Sequence, residues 1–96
     1  MRPSEVLVQH RESIRSLVHE AGIFNPRVFG SVVRGDDREN SDLDMLVDLR
    51  TKESLFELGR LEQKIGHETG LSVNVFAPSE LPPRFRERVL SEAAPL

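Results

Sequence analysis

The spacing of apolar residues predicts a long amphipathic helix near the start of this 96-residue chain. Within residues 4–21, apolar side chains recur at intervals of three and four, which places them on one face of a helix. Ser4 is suited to cap the start of this helix, and Gly22 is suited to end it. The apolar face is formed by Leu7, Ile14, Leu17, Val18 and Ala21.

A second amphipathic helix is predicted over residues 51–68, because the same spacing recurs there. Ser54 and Glu57 fit the spacing of a capping box, although Thr51 is also suited to begin the helix, and Gly70 follows as a stop. The stripe contains Leu55, Leu58, Leu61, Glu62 and Ile65.

Three shorter segments are typical of strands: residues 27–29, which follow an Asn25-Pro26 turn, residues 42–49 and residues 71–77. In the middle segment, successive side chains point to opposite sides of the strand. One side carries Leu43, Met45, Val47 and Leu49, and the other carries Asp42, Asp44, Leu46 and Asp48.

The remaining segments complete an alternating order of helices and strands. We predict one helical turn over residues 32–35, a polar loop over 36–41 and a final helix over 84–93. This order predicts an α/β (or α+β) fold, with a mixed sheet of about three strands and helices packed on it. The length fits a single domain over residues 1–96.

Composition narrows the function further. Thirteen Lys and Arg residues against sixteen Asp and Glu residues give a net charge of −3, so we expect no stable binding to nucleic acid. The chain has no Cys, which excludes disulfides, a thiolate zinc site and a Cys nucleophile. No apolar run approaches the roughly 20 residues that a membrane span requires, and no signal peptide is evident. A cytoplasmic location without membrane contact is therefore expected.

Asp42 and Asp44 are the most informative polar pair. Residues two apart on a strand point to the same side, so two carboxylates would lie close together among apolar neighbours. Mg²⁺ takes oxygen ligands and often binds one or two carboxylates together with substrate phosphates. Taken alone, however, an Asp-Leu-Asp pair is more often part of an ordinary polar strand face than of a metal site.

Gly30 and Ser31 add a second element of the same chemistry. A strand that ends in Gly-Ser before a helical turn presents backbone N–H groups and a hydroxyl to an anion, most often a phosphate. By itself the dipeptide also fits a simple turn with a Ser cap. Next to a paired-carboxylate metal site, it predicts a site for a nucleoside triphosphate and its magnesium.

The segment VFGSVVRGDDRENSDLDMLV resembles the signature of the minimal nucleotidyltransferases, a branch of the DNA polymerase beta-like superfamily. The family pattern is Gly-Ser, ten residues, then Asp-x-Asp. Gly30-Ser31 and Asp42-Leu43-Asp44 have this spacing. Arg34-Gly35 and Ser41 match further preferences of the family.

The resemblance implies roles for these residues. Gly30 and Ser31 would hold the phosphates of ATP, with Arg34 and Ser41 close by, and Asp42 and Asp44 would ligate Mg²⁺, as two ions. It also implies a partner, a HEPN-family ribonuclease toxin in a hetero-oligomer. The chain would silence this toxin as an antitoxin by transferring AMP to a hydroxyl, expected to be that of a tyrosine.

One position departs from the family pattern. The following strand commonly carries a third carboxylate, and the matching residue here is Asn74, between Val73 and Val75. An amide is neutral and cannot act as a general base. Two alternatives to the active antitoxin therefore stay open. One is an antitoxin that works by binding alone, and a weaker one is a free-standing nucleotidyltransferase for a small molecule or RNA.

Overall fold

The computed structural model describes residues 1–96 and has the predicted α/β character. Four strands form one mixed sheet in the order β3-β2-β1-β4, with β2 and β3 parallel and the other neighbours antiparallel. The sheet thus has one strand more than predicted. In chain order, the helices and strands are α1 (Pro3–Glu20), β1 (Phe24–Phe29), α2 (Ser31–Arg34), β2 (Leu43–Asp48), α3 (Glu57–Thr69), β3 (Val73–Phe76), α4 (Pro83–Glu92) and β4 (Ala94–Pro95).

The central strand β2 has the alternation predicted for it. Leu43, Met45 and Val47 are fully buried in the main core, which α1 and α3 cover. Leu46, on the opposite face, is also fully buried and forms a second small cluster with Phe29 and Leu81. The face that carries Asp44 is therefore apolar at Leu46, in the middle of the strand, and polar on either side of it, at Asp44 and Asp48.

Two predictions about strands were wrong. The first strand begins at Phe24, and the predicted Asn25-Pro26 turn is a bulge inside it, where Asn25 has a φ of 54° and the register with β2 shifts. The second error concerns the C-terminus, where Ala94 pairs with Val28 of β1 to form β4. A strand of two residues is too short to show any periodicity, so no pattern of apolar residues indicates it.

The second long helix starts later than predicted. A 3₁₀ helix spans Lys52–Phe56, and only Glu57–Thr69 is α-helical, with no side-chain cap from Ser54. Leu55 is therefore exposed, and Phe56 is 83% exposed, whereas Leu58, Leu61 and Ile65 are buried as predicted. Glu62, also in the predicted stripe, accepts a hydrogen bond of 2.8 Å from the N–H of Val75 and so covers the open edge of β3.

The start of α1 is capped by a distant loop residue. Ser4 does not act as the cap, because its own N–H donates to Asp37 Oδ2 at 2.9 Å. Asp37 is only 4% exposed, although it lies in the loop that the sequence predicts to be polar. Burial opposes ionisation of Asp37, but the hydrogen bonds from Ser4 and from the backbone at Asp37 outweigh it and lower its pKa.

We expect Asp37→Ala to destabilise the protein by about 0.5–2 kcal/mol, the usual cost of removing a helix cap. In a domain of this size, each 1 kcal/mol lowers the melting temperature by roughly 4–8 °C. Thermal unfolding followed by circular dichroism measures the effect. Asp36→Ala is the matched control, because Asp36 is exposed and contacts only Arg34. Equal melting temperatures for the two variants would contradict the capping role.

None of the helices combines the length and the apolar character needed to cross a membrane.

Candidate active site

The sheet register brings Asp42, Asp44 and Asn74 together at the start of β2 and β3. Asp44 lies opposite Asn74 in the parallel ladder. The Asn74 amide Nδ2 donates hydrogen bonds to Asp42 Oδ2 at 3.2 Å and to Asp44 Oδ1 at 3.1 Å. Asn74, at the position where the family commonly has a third carboxylate, therefore lies beside both Asp42 and Asp44. Asp48, at the other end of β2, binds Arg27 at 2.7 Å instead and takes no part.

The electrostatics of Asp44 disfavour its charged form. Burial is the main cause that raises the pKa of Asp44, and the nearby charge of Asp42 raises it further. The hydrogen bond from Asn74 and the positive charge of Arg34 act in the opposite direction but do not cancel the rise. A carboxylate pair of this kind gains from a bound cation, which would favour the charged forms.

Gly30 brings the backbone at the end of β1 against Asp44. Its φ is 77° and its ψ is −150°, a region that is essentially restricted to glycine. A Cβ built on Gly30 would lie 2.7 Å from Asp44 Oδ2, closer than real Cβ atoms approach such an atom. The predicted phosphate-binding turn and the predicted metal ligand are therefore in direct contact. This contact explains why glycine is needed at position 30.

We expect Gly30→Ala to destabilise the protein by about 1–3 kcal/mol through backbone strain, and to push the Asp44 carboxylate away. Gly35→Ala is the matched control. Gly35 also has a positive φ, 79°, but a Cβ added there would have no other atom within 4 Å. Both variants should unfold at lower temperature, whereas only Gly30→Ala should also weaken Mg²⁺ binding measured by calorimetry. Equal Mg²⁺ affinity in both variants would rule out this coupling.

The other predicted nucleotide-binding residues have different surroundings. Ser31 begins α2, and its hydroxyl makes no hydrogen bond. Ser41 lies one residue before Asp42, and its hydroxyl oxygen accepts a 2.8 Å hydrogen bond from the N–H of Arg38. Ser41 thus stabilises the loop in this arrangement. Direct contact of Ser41 with a nucleotide stays a prediction.

Arg34 is held by a residue that sequence reasoning missed. Its guanidinium binds Glu92 at 2.9 Å and Asp36 at 3.5 Å, and the hydrogen bond with Glu92 is the main cause that raises the pKa of Arg34. Glu92 also accepts a 3.4 Å hydrogen bond from the N–H of Gly30. The carboxylate of Glu92 therefore contacts two groups that were predicted to bind phosphate.

A cleft of about 280 Å³ lies beside these groups. Gly30, Arg34 and Asp44 line it, and α4 contributes further lining residues. The α4 residues that line the cleft are Phe85, Arg88, Val89 and Glu92. The sequence predicts a final helix here but assigns none of its residues to the site. The spacing of residues 85, 88, 89 and 92 places them on one side of a helix. Nothing in the sequence indicates which part of the protein that side contacts.

The donor set of the site fits Mg²⁺. Asp42 Oδ2 and Asp44 Oδ1 both lie within hydrogen-bond distance of one Asn74 nitrogen, so they converge on a common point. No cluster of three or more His, Cys, Asp or Glu side chains suited to a metal occurs in the structure. Two carboxylates are nevertheless sufficient for Mg²⁺ when substrate phosphates supply further oxygens.

Comparison with known proteins shows the family to which the chain belongs. Residues 12–96 match the family model for polymerase beta, nucleotidyltransferase, so the chain belongs to this nucleotidyltransferase family. A protein of Thermococcus cleftensis named protein adenylyltransferase MntA is 34% identical over 87 residues. The alignment covers 91% of this chain and 85% of that protein.

Solved structures agree with this assignment. A protein described, provisionally, as a minimal nucleotidyltransferase has 42% identity and a TM-score of 0.83, with coverage of 97% of this chain and 95% of that chain. A second structure is described as a toxin–antitoxin crystal structure with AMP-PNP. Its TM-score is 0.72 at 16% identity, over 97% of this chain and 71% of that one, which supports the fold alone.

Proposed function

We propose that this protein is an antitoxin that transfers AMP from ATP, with Mg²⁺, to a hydroxyl of a partner toxin. The proposal rests on the contact between Gly30 and Asp44, where a Cβ added to Gly30 would lie only 2.7 Å from Asp44 Oδ2. A phosphate bound at the Gly30-Ser31 turn would lie beside a metal held by Asp42 and Asp44. The likeness to a protein named protein adenylyltransferase supports AMP as the transferred group.

In the proposed reaction, the acceptor hydroxyl oxygen attacks the α-phosphorus of ATP. A new P–O bond forms, the bond to the bridging oxygen of the β-phosphate breaks, and pyrophosphate leaves. Bound Mg²⁺ would supply positive charge to the phosphate oxygens. Asp42 and Asp44 hold the site for that charge, and Gly30 allows the backbone to approach the phosphates. The hydroxyl proton passes to solvent, because the Asn74 amide cannot accept it.

The partner is proposed to be a HEPN-family toxin and the acceptor a tyrosine hydroxyl. Support for a toxin partner comes from the fold shared with a toxin–antitoxin structure, and the HEPN assignment rests on the sequence resemblance. The neighbouring gene product, purified with this chain, is the partner to test. Mass spectrometry after incubation with ATP and Mg²⁺ should show the toxin heavier by AMP units, and fragment spectra should locate them on tyrosine.

A second candidate function is favoured by one specific observation. The Asn74 amide donates to both Asp42 and Asp44, and so satisfies the carboxylates without a metal. This arrangement fits an antitoxin that neutralises its toxin by binding alone. An assay of the toxin's ribonuclease activity, combined with measurement of the toxin's mass, distinguishes the two functions. Inhibition without ATP and without a change in toxin mass would support binding alone.

A further inference from the structure

One face of α4 forms a wall of the cleft beside Asp44. Phe85, Arg88, Val89 and Glu92 line the cleft, and their spacing of three and four places them on the same side of the helix. Glu92 fixes the orientation of this face, because it binds Arg34 at 2.9 Å and the N–H of Gly30 at 3.4 Å. Arg88 therefore lies on the helix face that lines the same cleft as Gly30 and Asp44.

The charges that line this cleft do not all have partners. Arg34 and Glu92 form an ion pair. Asp44 is hydrogen-bonded by Asn74 and, with Asp42, is the proposed Mg²⁺ ligand. The guanidinium of Arg88 makes no hydrogen bond and no ion pair in the structure, although Glu92 lies one helical turn away. The one cation of the cleft without a partner is thus Arg88.

The three arginines of α4 have three different environments. Arg86 is partly buried and donates to the backbone oxygens of Pro78 and Leu81, both at 3.0 Å, so it stabilises the turn before the helix. Arg84 lies over the ring of Phe85, 4.8 Å from its centroid, and does not line the cleft. Only Arg88 combines a free guanidinium with a position in the cleft.

We propose that Arg88 binds the phosphate groups of the nucleotide, in the role expected of Arg34 from the sequence. The inference rests on the proposed function, because it names a further binding residue of the same site. A triphosphate keeps excess negative charge even with Mg²⁺ bound, and a guanidinium matches phosphate oxygens with paired donors. Arg34 is less suited to this role because Glu92 already neutralises it.

Calorimetric titration of the full chain tests the inference with two probes, ATP with Mg²⁺ and inorganic tripolyphosphate with Mg²⁺. Arg88→Gln should raise the dissociation constant of both probes by about 10- to 100-fold, the range of a hydrogen bond to a charged group. Arg88→Lys should restore part of the affinity. Arg84→Gln is the matched control on the same helix and should bind as the unmodified chain does. Melting curves of each variant verify that it is folded.

The outcomes separate this inference from the proposed function. If the unmodified chain binds ATP and Arg88→Gln binds it equally well, the inference is overturned and the proposed function stands. If Arg88→Gln weakens the binding of ATP but not of tripolyphosphate, Arg88 contacts the nucleoside and phosphate binding is overturned. If the unmodified chain binds neither probe, both proposals are overturned.

Discussion

Asp44→Asn should abolish Mg²⁺-dependent ATP binding and AMP transfer, and at the same time raise the melting temperature of the protein. Transfer should fall by about 10³-fold or more, because loss of a metal site removes several kcal/mol of charge stabilisation. The stability should rise because burial and the charge of Asp42 disfavour the Asp44 carboxylate in the folded state. An Asn side chain keeps an oxygen that can accept the hydrogen bond from Asn74.

The stability effect should depend on pH in a defined direction. The raised pKa means that folded Asp44 takes up a proton at a higher pH than unfolded Asp44 does. Its charge therefore destabilises the fold fully at pH 7, and this penalty is lost as the pH falls through the folded pKa. The advantage of Asp44→Asn in thermal unfolding should accordingly be present at pH 7 and absent at about pH 3, below the ordinary Asp pKa.

Asp48→Asn is the matched control on the same strand. Asp48 binds Arg27 at 2.7 Å and Asn25 at 2.8 Å, away from the proposed metal. This substitution weakens a half-buried ion pair, so the melting temperature should fall while ATP and Mg²⁺ still bind. Asp44→Asn that lowers stability, or that leaves Mg²⁺-dependent ATP binding intact, would contradict the assignment of Asp44.

The parts of the fold that repeat a pattern could be predicted from the sequence. Three buried side chains of β2, Leu43, Met45 and Val47, lie at every second position. A one-residue shift in strand register would turn all three away from the main core, so their spacing fixes the face that they occupy. The Gly30-Ser31 and Asp42-x-Asp44 elements were equally visible, because their spacing is local. What these features share is that neighbouring residues in the sequence determine them.

Features that depend on distant residues could not be predicted in this way. Asp37 caps α1 across 33 residues of sequence, and β4 exists only because Ala94 reaches Val28. Glu92 pairs with Arg34 across 58 residues of sequence. Because no residue near Arg34 in the sequence indicates this partner, Arg34 was expected to be available for phosphate binding. In each case, the neighbouring residues in the sequence give no indication of the long-range contact that determines the role of the residue.

Asn74→Asp should convert a slow or inactive transferase into a faster one. The amide nitrogen lies 3.1 Å from Asp44 Oδ1 and 3.2 Å from Asp42 Oδ2, so a carboxylate at this position would face the proposed metal and the acceptor hydroxyl. It could then take the proton that the amide cannot accept. General bases typically contribute about 10²- to 10⁴-fold, which is the expected increase in AMP transfer to the toxin measured by mass spectrometry.

The same substitution should make the fold dependent on the metal. It replaces a donor between two carboxylates with a third negative charge, so without Mg²⁺ the melting temperature should fall. Addition of Mg²⁺ should then raise it more than in the unmodified chain. Asn40→Asp is the matched control, because it adds the same charge at an exposed loop position. It should change neither transfer nor the response to Mg²⁺.

The outcomes of this experiment decide between the two candidate functions. If the unmodified chain transfers AMP rapidly and Asn74→Asp adds nothing, another residue accepts the proton and the role assigned to position 74 is wrong. If neither form transfers AMP but both inhibit the toxin, the protein is an antitoxin that acts by binding. A gain confined to Asn74→Asp would mean that the amide, by occupying the metal ligands and lacking basicity, is what limits transfer in this chain.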